Sequence, residues 1–377
     1  MSGQTGREEI ESLIAGVKAI VDSWDAGQTD AGGVEFDRLA LRAHRFQRAA
    51  NPVVSGFIKA LGLPIPERWQ DIPALPTAAF KRAVVSCFPP TGAVREFRTS
   101  GTTEGETGRH FHTAATLALY DAAALPNYRR HLFAGAAPTT RPAMVFLTAP
   151  PLEAPHSSLI HMFATIAAAH AAPLPGFDGD RAYLLAGGLL NDAGYLGAEN
   201  AAADAGLAFH VYGTAFAFAE LVARLDGIDV SRLRRPELTV METGGFKGRV
   251  REIPRPRFHA DLSRVLGVAP ERIINEYGMT ELGSQFYDQS LVEKHSTDWK
   301  IAPPWTRVRA VDPETGVIRP DGTKGLLRIW DLANLGSTIA IQTEDVGVTD
   351  GDRFRVFGRV PGATPRGCGL PAENLFR

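Results

Sequence analysis

The strongest constraint on this chain is an alternation that begins near residue 95. Short apolar runs occur at Pro142–Thr148, Ala182–Ala186, Phe209–Tyr212, Leu238–Met241 and Arg272–Ile274. Between and before them lie stretches with helical spacing, at 113–132, 157–171, 214–225 and 256–266. Strands alternating with helices at this spacing predict a parallel sheet with helices on its faces. After residue 300 the period becomes strand-like, at Arg307–Val311, Gly325–Trp330, Thr338–Gln342 and Arg353–Phe357. Turn sequences separate these runs: Asp312-Pro313-Glu314-Thr315-Gly316, Asp321-Gly322 and Asp350-Gly351-Asp352. That pattern predicts a small antiparallel β subdomain.

The amino-terminal part has a different texture. Ile10, Leu13, Ile14, Val17 and Ile20–Val21 are spaced as on one helix face, and Phe36, Leu39, Leu41, Phe46, Val53, Phe57 and Leu61 predict that helix continues over 34–62. A Pro-rich connector covers 63–76. The expected organisation is therefore a helical entry over 1–75, an α/β core over 76–300, a β subdomain over 301–360, and a tail over 361–377 that carries Cys368.

Composition excludes several classes. The 377 residues are 44% hydrophobic and 22% charged, which is ordinary for a globular protein. A net charge of −2 gives no global field to attract nucleic acid or anionic lipid. The basic cluster Lys247, Arg249, Arg251, Arg255 and Arg257 fits the wall of a phosphate site better than a nucleic-acid surface. The 2 cysteines, Cys87 and Cys368, cannot build a disulfide scaffold or a four-cysteine zinc site. The polar start carries no leader pattern, and the long uncharged run between Glu153 and Asp178 is broken by Pro155, Pro173 and Pro175. The expectation is a soluble, cytoplasmic protein with no nucleic-acid or membrane partner.

Three segments carry chemistry. Residues 99–108 gather the hydroxyls of Thr99, Ser100, Thr102, Thr103 and Thr107 with Gly101, Gly105 and Gly108, and Arg109 follows. Glycines let backbone approach an anion, while hydroxyls and N–H groups donate to phosphate oxygens. The Gly-Lys-Ser/Thr ending of a Walker A loop is absent. Composition alone equally allows a solvated Ser/Thr-rich loop. The second segment is Ile274-Asn275-Glu276-Tyr277-Gly278-Met279-Thr280-Glu281, a strand expected to run into a turn and a helix start. Thr280 and Glu281 can offer oxygen to a hard cation such as Mg2+. Tyr277 can stack on a base and Asn275 can bond an adenine edge; alone, the segment also reads as a helix cap with a buried Tyr. The third is Gln342-Thr343-Glu344-Asp345-Val346-Gly347, followed by Gly358-Arg359. A carboxylate at a strand end can grip vicinal ribose hydroxyls, and separately each piece is a turn with a surface charge.

Taken in order, Thr99–Gly105, Tyr277–Glu281, Thr343–Asp345 and Gly358-Arg359 resemble the acyl-adenylating superfamily. Finer features point to one branch. Ala154–Leu159, Gly213–Phe218, Glu242–Arg249, Ser284–Tyr287 and Arg366-Gly367-Cys368 are similar to the acyl-protein synthetase (LuxE-like) family. The resemblance covers roughly 50–375. It implies an α/β fold: a large adenylate-forming-type N-terminal domain of mostly parallel sheets flanked by helices, plus the small antiparallel β subdomain.

The resemblance also implies an activity. ATP and a carboxylic acid, fatty or other, would give an acyl-adenylate and pyrophosphate, and the acyl group would pass to a thiol. Thr99, Ser100, Gly101, Thr102, Thr103 and Gly105 match the loop for the β- and γ-phosphates. Gly244 and Gly245 match the stretch along the adenine, and Asn275, Glu276, Tyr277 and Gly278 continue that pocket. Thr280 and Glu281 match the α-phosphate and Mg2+ positions. Asp345 matches the ribose carboxylate, and Arg359 the arginine near the hinge. His156, Ser157, Ser158 and His161 fall in a substrate-facing segment. Phe216 and Phe218 fit either an acyl tunnel or the core. Cys368 matches the cysteine that accepts the acyl group before a partner protein does, whereas Cys87 reads as core.

Two departures stand out. The phosphate loop ends Glu-Gly-Glu-Thr-Gly-Arg in place of Pro-Lys-Gly, which makes Arg109 the candidate substitute for the lysine. The sequence ends 18 residues after Arg359, so the lid domain with its adenylation lysine is expected to be missing. Lys247 and Arg249 are the candidates to supply that charge, or else are surface cations. Two other readings remain open. One is acyl transfer to a diffusible acceptor such as CoA, a carrier-protein thiol or an amine. The other is a non-catalytic nucleotide- or acyl-binding subunit.

Overall fold

The apolar spacing at the amino terminus folds into helices, with one interruption. The computed structural model describes residues 3–28, 33–99, 107–137, 139–227, 237–244 and 253–359. Helix Gly3–Asp25 buries Leu13, Val17, Ile20 and Val21, and helix Gly33–Ala50 buries Phe36, Leu39, Ala43 and Phe46. The helix expected over 34–62 is in fact two, broken at Asn51-Pro52. Proline lacks an N–H and drives the residue before it toward extended backbone. Asn51 accordingly has φ −106° and ψ 109°, and its side-chain oxygen caps helix Pro52–Leu61 by accepting from Val53 N at 3.0 Å and Val54 N at 3.4 Å.

The described residues fall into two compact units. One takes them from 1–127, 279–286 and 299–377, and the other from 128–278 and 287–298. In the first unit a sheet orders strands Lys300–Ile301, Arg353–Arg359, Ala340–Asp350, Gly325–Asp331 and Thr306–Val311, each antiparallel to its neighbour. This is the pairing that the pattern after residue 300 predicts. Strand Leu75–Pro76, from the end of the Pro-rich connector, joins in parallel, setting Leu75 opposite Ile341 and Pro76 opposite Gln342. The helices pack through aromatics: Trp69 meets Phe36 edge-on at 5.7 Å and Trp330 at 4.8 Å between ring centroids. Such pairs add direction to a core that area burial alone would leave unspecified.

One strand is longer than the sequence suggests. Ala340–Asp350 runs straight through Thr343, Glu344 and Asp345, so that carboxylate lies within a strand and not at its end. The polar residues are tolerated because they are satisfied in place. Thr343 Oγ1 donates to the Leu327 carbonyl at 2.7 Å, and Gln342 Nε2 donates to the same oxygen at 3.3 Å. A register shift follows immediately, between Val346 and Gly347. A Cβ on Gly347 would collide with the Arg355 carbonyl, so only glycine fits there. Bulges of this kind re-aim neighbouring side chains. A separate hairpin pairs strands Arg95–Arg98 and Arg109–His112, with Arg98 opposite Arg109.

The second unit carries the predicted parallel sheet. Strands Ile273–Tyr277, Thr239–Thr243, Phe209–Thr214 and Ala143–Leu147 lie side by side and parallel. Helices Asp192–Asp204, Ala215–Leu225 and Arg255–Leu266 bury Tyr195, Phe218, Leu221 and Leu262 with Val145, Val211 and Val240. From helix Ser158–His170, Phe163 packs on Phe146 at 5.3 Å and Tyr212 at 5.9 Å, residues of the alternate strand positions. The strand expected at Ala182–Ala186 shrinks to Leu185–Ala186, because a 3-10 turn takes Gly179–Ala182. Parallel strands bring their carboxyl ends to one edge, where ligands of such sheets bind. Thr214, Thr243-Gly244 and Tyr277-Gly278 occupy that edge. No helix among the described residues is long and apolar enough to cross a membrane.

Candidate active site

In the first unit, the turn Met279–Gln285 is held by groups distant in sequence. The buried His110 ring bonds the Thr280 carbonyl through Nδ1 at 2.8 Å, and Thr280 Oγ1 donates to the Arg98 carbonyl at 3.4 Å. Both partners belong to the hairpin that carries the hydroxyl-rich loop. Asn334 Nδ2 donates to the Glu281 carbonyl at 2.7 Å, and Gln47 Nε2 in turn donates to the Asn334 carbonyl at 3.0 Å. Asp331 accepts from Gly283 N at 2.8 Å, Ser284 Oγ at 2.7 Å and Ala333 N at 3.0 Å. These bonds explain why no helix follows Tyr277-Gly278, contrary to expectation: the amides and carbonyls of the turn are taken by side chains, so a helical ladder has nothing to start from.

The same unit brings the motif residues together. Thr99 closes the hairpin loop, donating from its N to the Gly108 carbonyl at 2.9 Å and accepting from Gly108 N at its Oγ1 at 2.8 Å. Asp345 and Arg359 face each other in adjacent strands and form an ion pair at 3.2 Å, with the carboxylate buried and the guanidinium exposed. Glu281 is buried, and burial pushes its carboxyl up to about 7; Arg359 and Lys81 draw it back down, while Asp345 pushes it higher. Glu281 thus lies within electrostatic reach of Asp345, Arg359 and Lys81. Burial also holds His110 down to about 4, against the Thr280 carbonyl and Asn334. Arg109 is exposed, with its guanidinium 5.5 Å from the Phe111 ring centroid.

In the second unit the strand edge has its own polar pairs. Thr243 Oγ1 donates to the Glu276 carboxylate beside it in register. On the opposite face, Asn275 Nδ2 donates to Glu242 Oε1 at 2.9 Å, and Asn275 N donates to Asp288 Oδ2 at 2.7 Å. Arg255 reaches Asp288 at 3.2 Å, and His259 reaches Glu242 at 3.2 Å. The Asn275 amide N–H is therefore already engaged by Glu242. Alternation places the half-buried Tyr277 on the same strand face as Asn275. Gly244 has φ +75°, the left-handed region that glycine enters without strain.

The remaining predicted residues spread over this unit. Ser157 caps helix Ser158–His170, its Oγ accepting from Ile160 N at 3.3 Å, and Ser158 opens that helix. His156 and His161 flank this helix start and are half-buried. Phe218 is fully buried in the core, while Phe216 is half-buried in the first turn after Thr214, the cap of its helix. Ser100, Gly101, Thr102, Thr103, Gly105, Gly245, Lys247, Arg249 and Cys368 lie outside the described residues. Cys87 packs against the helical core, and burial pushes its thiol well up, which makes it inert at neutral pH.

Several contributors had no signal in the sequence. His110, Asn334, Gln47 and Asp331 act through backbone bonds whose partners are up to 292 residues away. Only the fold assembles them. Among the described residues no group of three or more His, Cys, Asp or Glu could hold a metal ion. A single buried carboxylate with incompletely offset charge, Glu281, together with the Thr280 hydroxyl, fits a hard cation that keeps most of its ligands from water and phosphate.

Comparison with known proteins bears on the whole arrangement. Residues 210–376 match the family described as acyl-protein synthetase, LuxE. The resemblance read from the motifs is thereby borne out. A long-chain-fatty-acid–luciferin-component ligase of Vibrio harveyi is 26% identical over 149 residues, 37% of this chain and 38% of that protein. The ligase of the same description from Aliivibrio fischeri is 27% identical over 115 residues, 28% of this chain and 29% of that protein. The matches thus span less than two-fifths of these curated relatives. Among solved structures, 2-hydroxyisobutyryl-CoA ligase in complex with 2-HIB-AMP and CoA aligns with a TM-score of 0.62 at 14% identity, over 87% of this chain and 70% of that one. At that identity the likeness establishes the fold, and it agrees with the expected adenylate-forming α/β architecture.

Proposed function

We propose that this acyl-protein synthetase-like chain is an ATP-dependent ligase that activates a carboxylic acid, fatty or other, as an acyl-adenylate. In the reaction a carboxylate oxygen attacks the α-phosphorus of ATP. The bond from that phosphorus to the bridging oxygen breaks, and pyrophosphate leaves. A thiolate then attacks the acyl carbon and AMP leaves with the electron pair. Two anions must meet in the first step, so charge neutralisation and alignment provide most of the rate.

The observation that supports this best is the fastening of Thr280 to the hairpin that carries the hydroxyl-rich loop, with Glu281 in electrostatic reach of the Asp345–Arg359 pair. In this reading Thr99, Ser100, Gly101, Thr102, Thr103 and Gly105 donate to the β- and γ-phosphates, with Arg109 as a cation beside them. Thr280 and Glu281 serve the α-phosphate and Mg2+. Asp345 receives the ribose hydroxyls and Arg359 balances it. Gly244, Gly245 and Asn275–Gly278 border the adenine, with Tyr277 as the stacking ring. His156, Ser157, Ser158, His161 and Phe216 face the acid, Lys247 adds charge, and Cys368 accepts the acyl group for a protein partner.

The test is carboxylate-dependent pyrophosphate release across a panel of acids, with intact-protein mass spectrometry for a thioester. Asp345→Ala and Glu281→Ala should each lower exchange of pyrophosphate into ATP by about 10²–10³, as loss of one aimed electrostatic group does. Exchange that survives both changes defeats the assignment. Cys368→Ser should abolish the thioester; product formed at the wild-type rate would move the acceptor to a diffusible thiol or amine.

A further inference from the structure

The connector before the hairpin delivers a cation that no motif marks. Strand Leu75–Pro76 lies parallel to Ala340–Asp350, and Thr77 N donates to the Gln342 carbonyl at 3.2 Å, three residues before Asp345. The chain then makes a single helical turn, Ala79–Arg82. Ala79 and Phe80 are buried and anchor it. The Phe80 ring meets His110 edge-on at 5.8 Å, and Phe80 Cβ lies 3.5 Å from where a Cβ on Gly108 would sit. This turn is therefore wedged between the Asp345 strand and the base of the hydroxyl-rich loop, against the same histidine that holds Thr280.

Lys81 is the next residue, and it is exposed. Arg359 is paired with Asp345 and Arg98 with Glu96, whereas the Lys81 ammonium makes no ion pair or hydrogen bond with a described residue. Its field nevertheless reaches the buried Glu281. We propose that Lys81 binds the polyphosphate chain of the nucleotide, supplying a mobile point charge between the base of the hydroxyl-rich loop and the Thr280–Glu281 turn. This assignment rests on the nucleotide reading above. A lysine suits the task because its compact ammonium on a flexible stem can follow a phosphate whose charge shifts during reaction. Its anchor is Phe80, so the cation can be removed without disturbing the core.

Calorimetric titration of the full chain with Mg·ATP and with AMP separates the possibilities. In Lys81→Met and Lys81→Gln, affinity for Mg·ATP should fall about tenfold or more, the effect of one charge-assisted hydrogen bond, while affinity for AMP stays within about twofold. Lys81→Arg should restore most of the loss, and all three variants should melt at the wild-type temperature. Unchanged Mg·ATP affinity in both neutral variants overturns the role of Lys81, and so does an equal loss for ATP and AMP. A wild-type chain that binds no Mg·ATP overturns the nucleotide reading itself and this assignment with it.

Discussion

The Thr280–Glu281 turn in the first unit and the Thr243–Glu276 edge in the second are held by different means. The turn is braced from outside. His110, Asn334 and Asp331 bond its backbone from positions 170, 53 and 48 residues away. The edge is braced first by register: Thr243 bonds Glu276, and Glu242 bonds Asn275, each its direct neighbour in a parallel ladder, and Asp288 and His259 add contacts from outside it. A turn has no ladder to satisfy its amides, so it needs side chains that fix its course. A strand edge already has its backbone fixed and needs only its side chains oriented. Damage to the turn should therefore spread, while damage to the edge should stay local.

The largest effect should come from Asp331→Ala. It strands the Gly283 and Ala333 amides and the Ser284 hydroxyl in a buried site, and should cost about 2–4 kcal/mol of stability in urea unfolding. It should also lower ATP–pyrophosphate exchange, because Glu281 loses its fixed course. Full exchange activity in a folded Asp331→Ala variant would remove the distinction drawn between the two regions. Thr243→Val should cost less, about 1–2 kcal/mol, because one donor to Glu276 is lost while the ladder persists. Hydrogen exchange should then change only in the neighbouring strands.

The smallest and most discriminating effect is on pH. His210, near the amino end of the interior strand Phe209–Thr214 of the same parallel sheet, is held down to about 3 by burial, and the nearby Arg272 adds to it. A depressed histidine stabilises the fold above its ordinary value of 6.5, and that contribution is lost as pH falls toward 3. His110 in the turn region behaves alike between 6.5 and about 4. Beside it, however, burial raises Asp331 to about 6 and Glu281 to about 7. A raised carboxyl stabilises most at low pH and loses that contribution as pH rises through its folded value, so these two groups oppose His110. Amide exchange measured from pH 7 to pH 4 should show protection falling more steeply around Phe209–Thr214 than around Met279–Gln285. Equal slopes would show that the turn gains nothing from its two carboxyls.

Much of the architecture was legible in the residues, for identifiable reasons. Helices Ser158–His170, Ala215–Leu225 and Arg255–Leu266 appear within a residue of their expected bounds, because amphipathic spacing is a local property. The break at Asn51-Pro52 was also present in the sequence, but the apolar spacing on either side outweighed it. The sequence pattern ends strand Ala340–Asp350 early because Thr343-Glu344-Asp345 looks like a polar turn, and only the Leu327 carbonyl in the neighbouring strand shows how its hydroxyl is satisfied. The motif residues Thr280, Glu281, Asp345 and Arg359 stand out in the sequence because their types and order are distinctive. Lys81 and His110 do not, since a lysine after a phenylalanine says nothing until a parallel strand pairing sets it beside the site.

A crystal of the full chain soaked with Mg·ATP tests the central claim most directly. The account predicts triphosphate density against the base of the 99–108 loop and the Thr280–Glu281 turn, with ribose oxygens at Asp345. Nucleotide bound elsewhere, with Asp345 still paired to Arg359 and the turn empty, would contradict it.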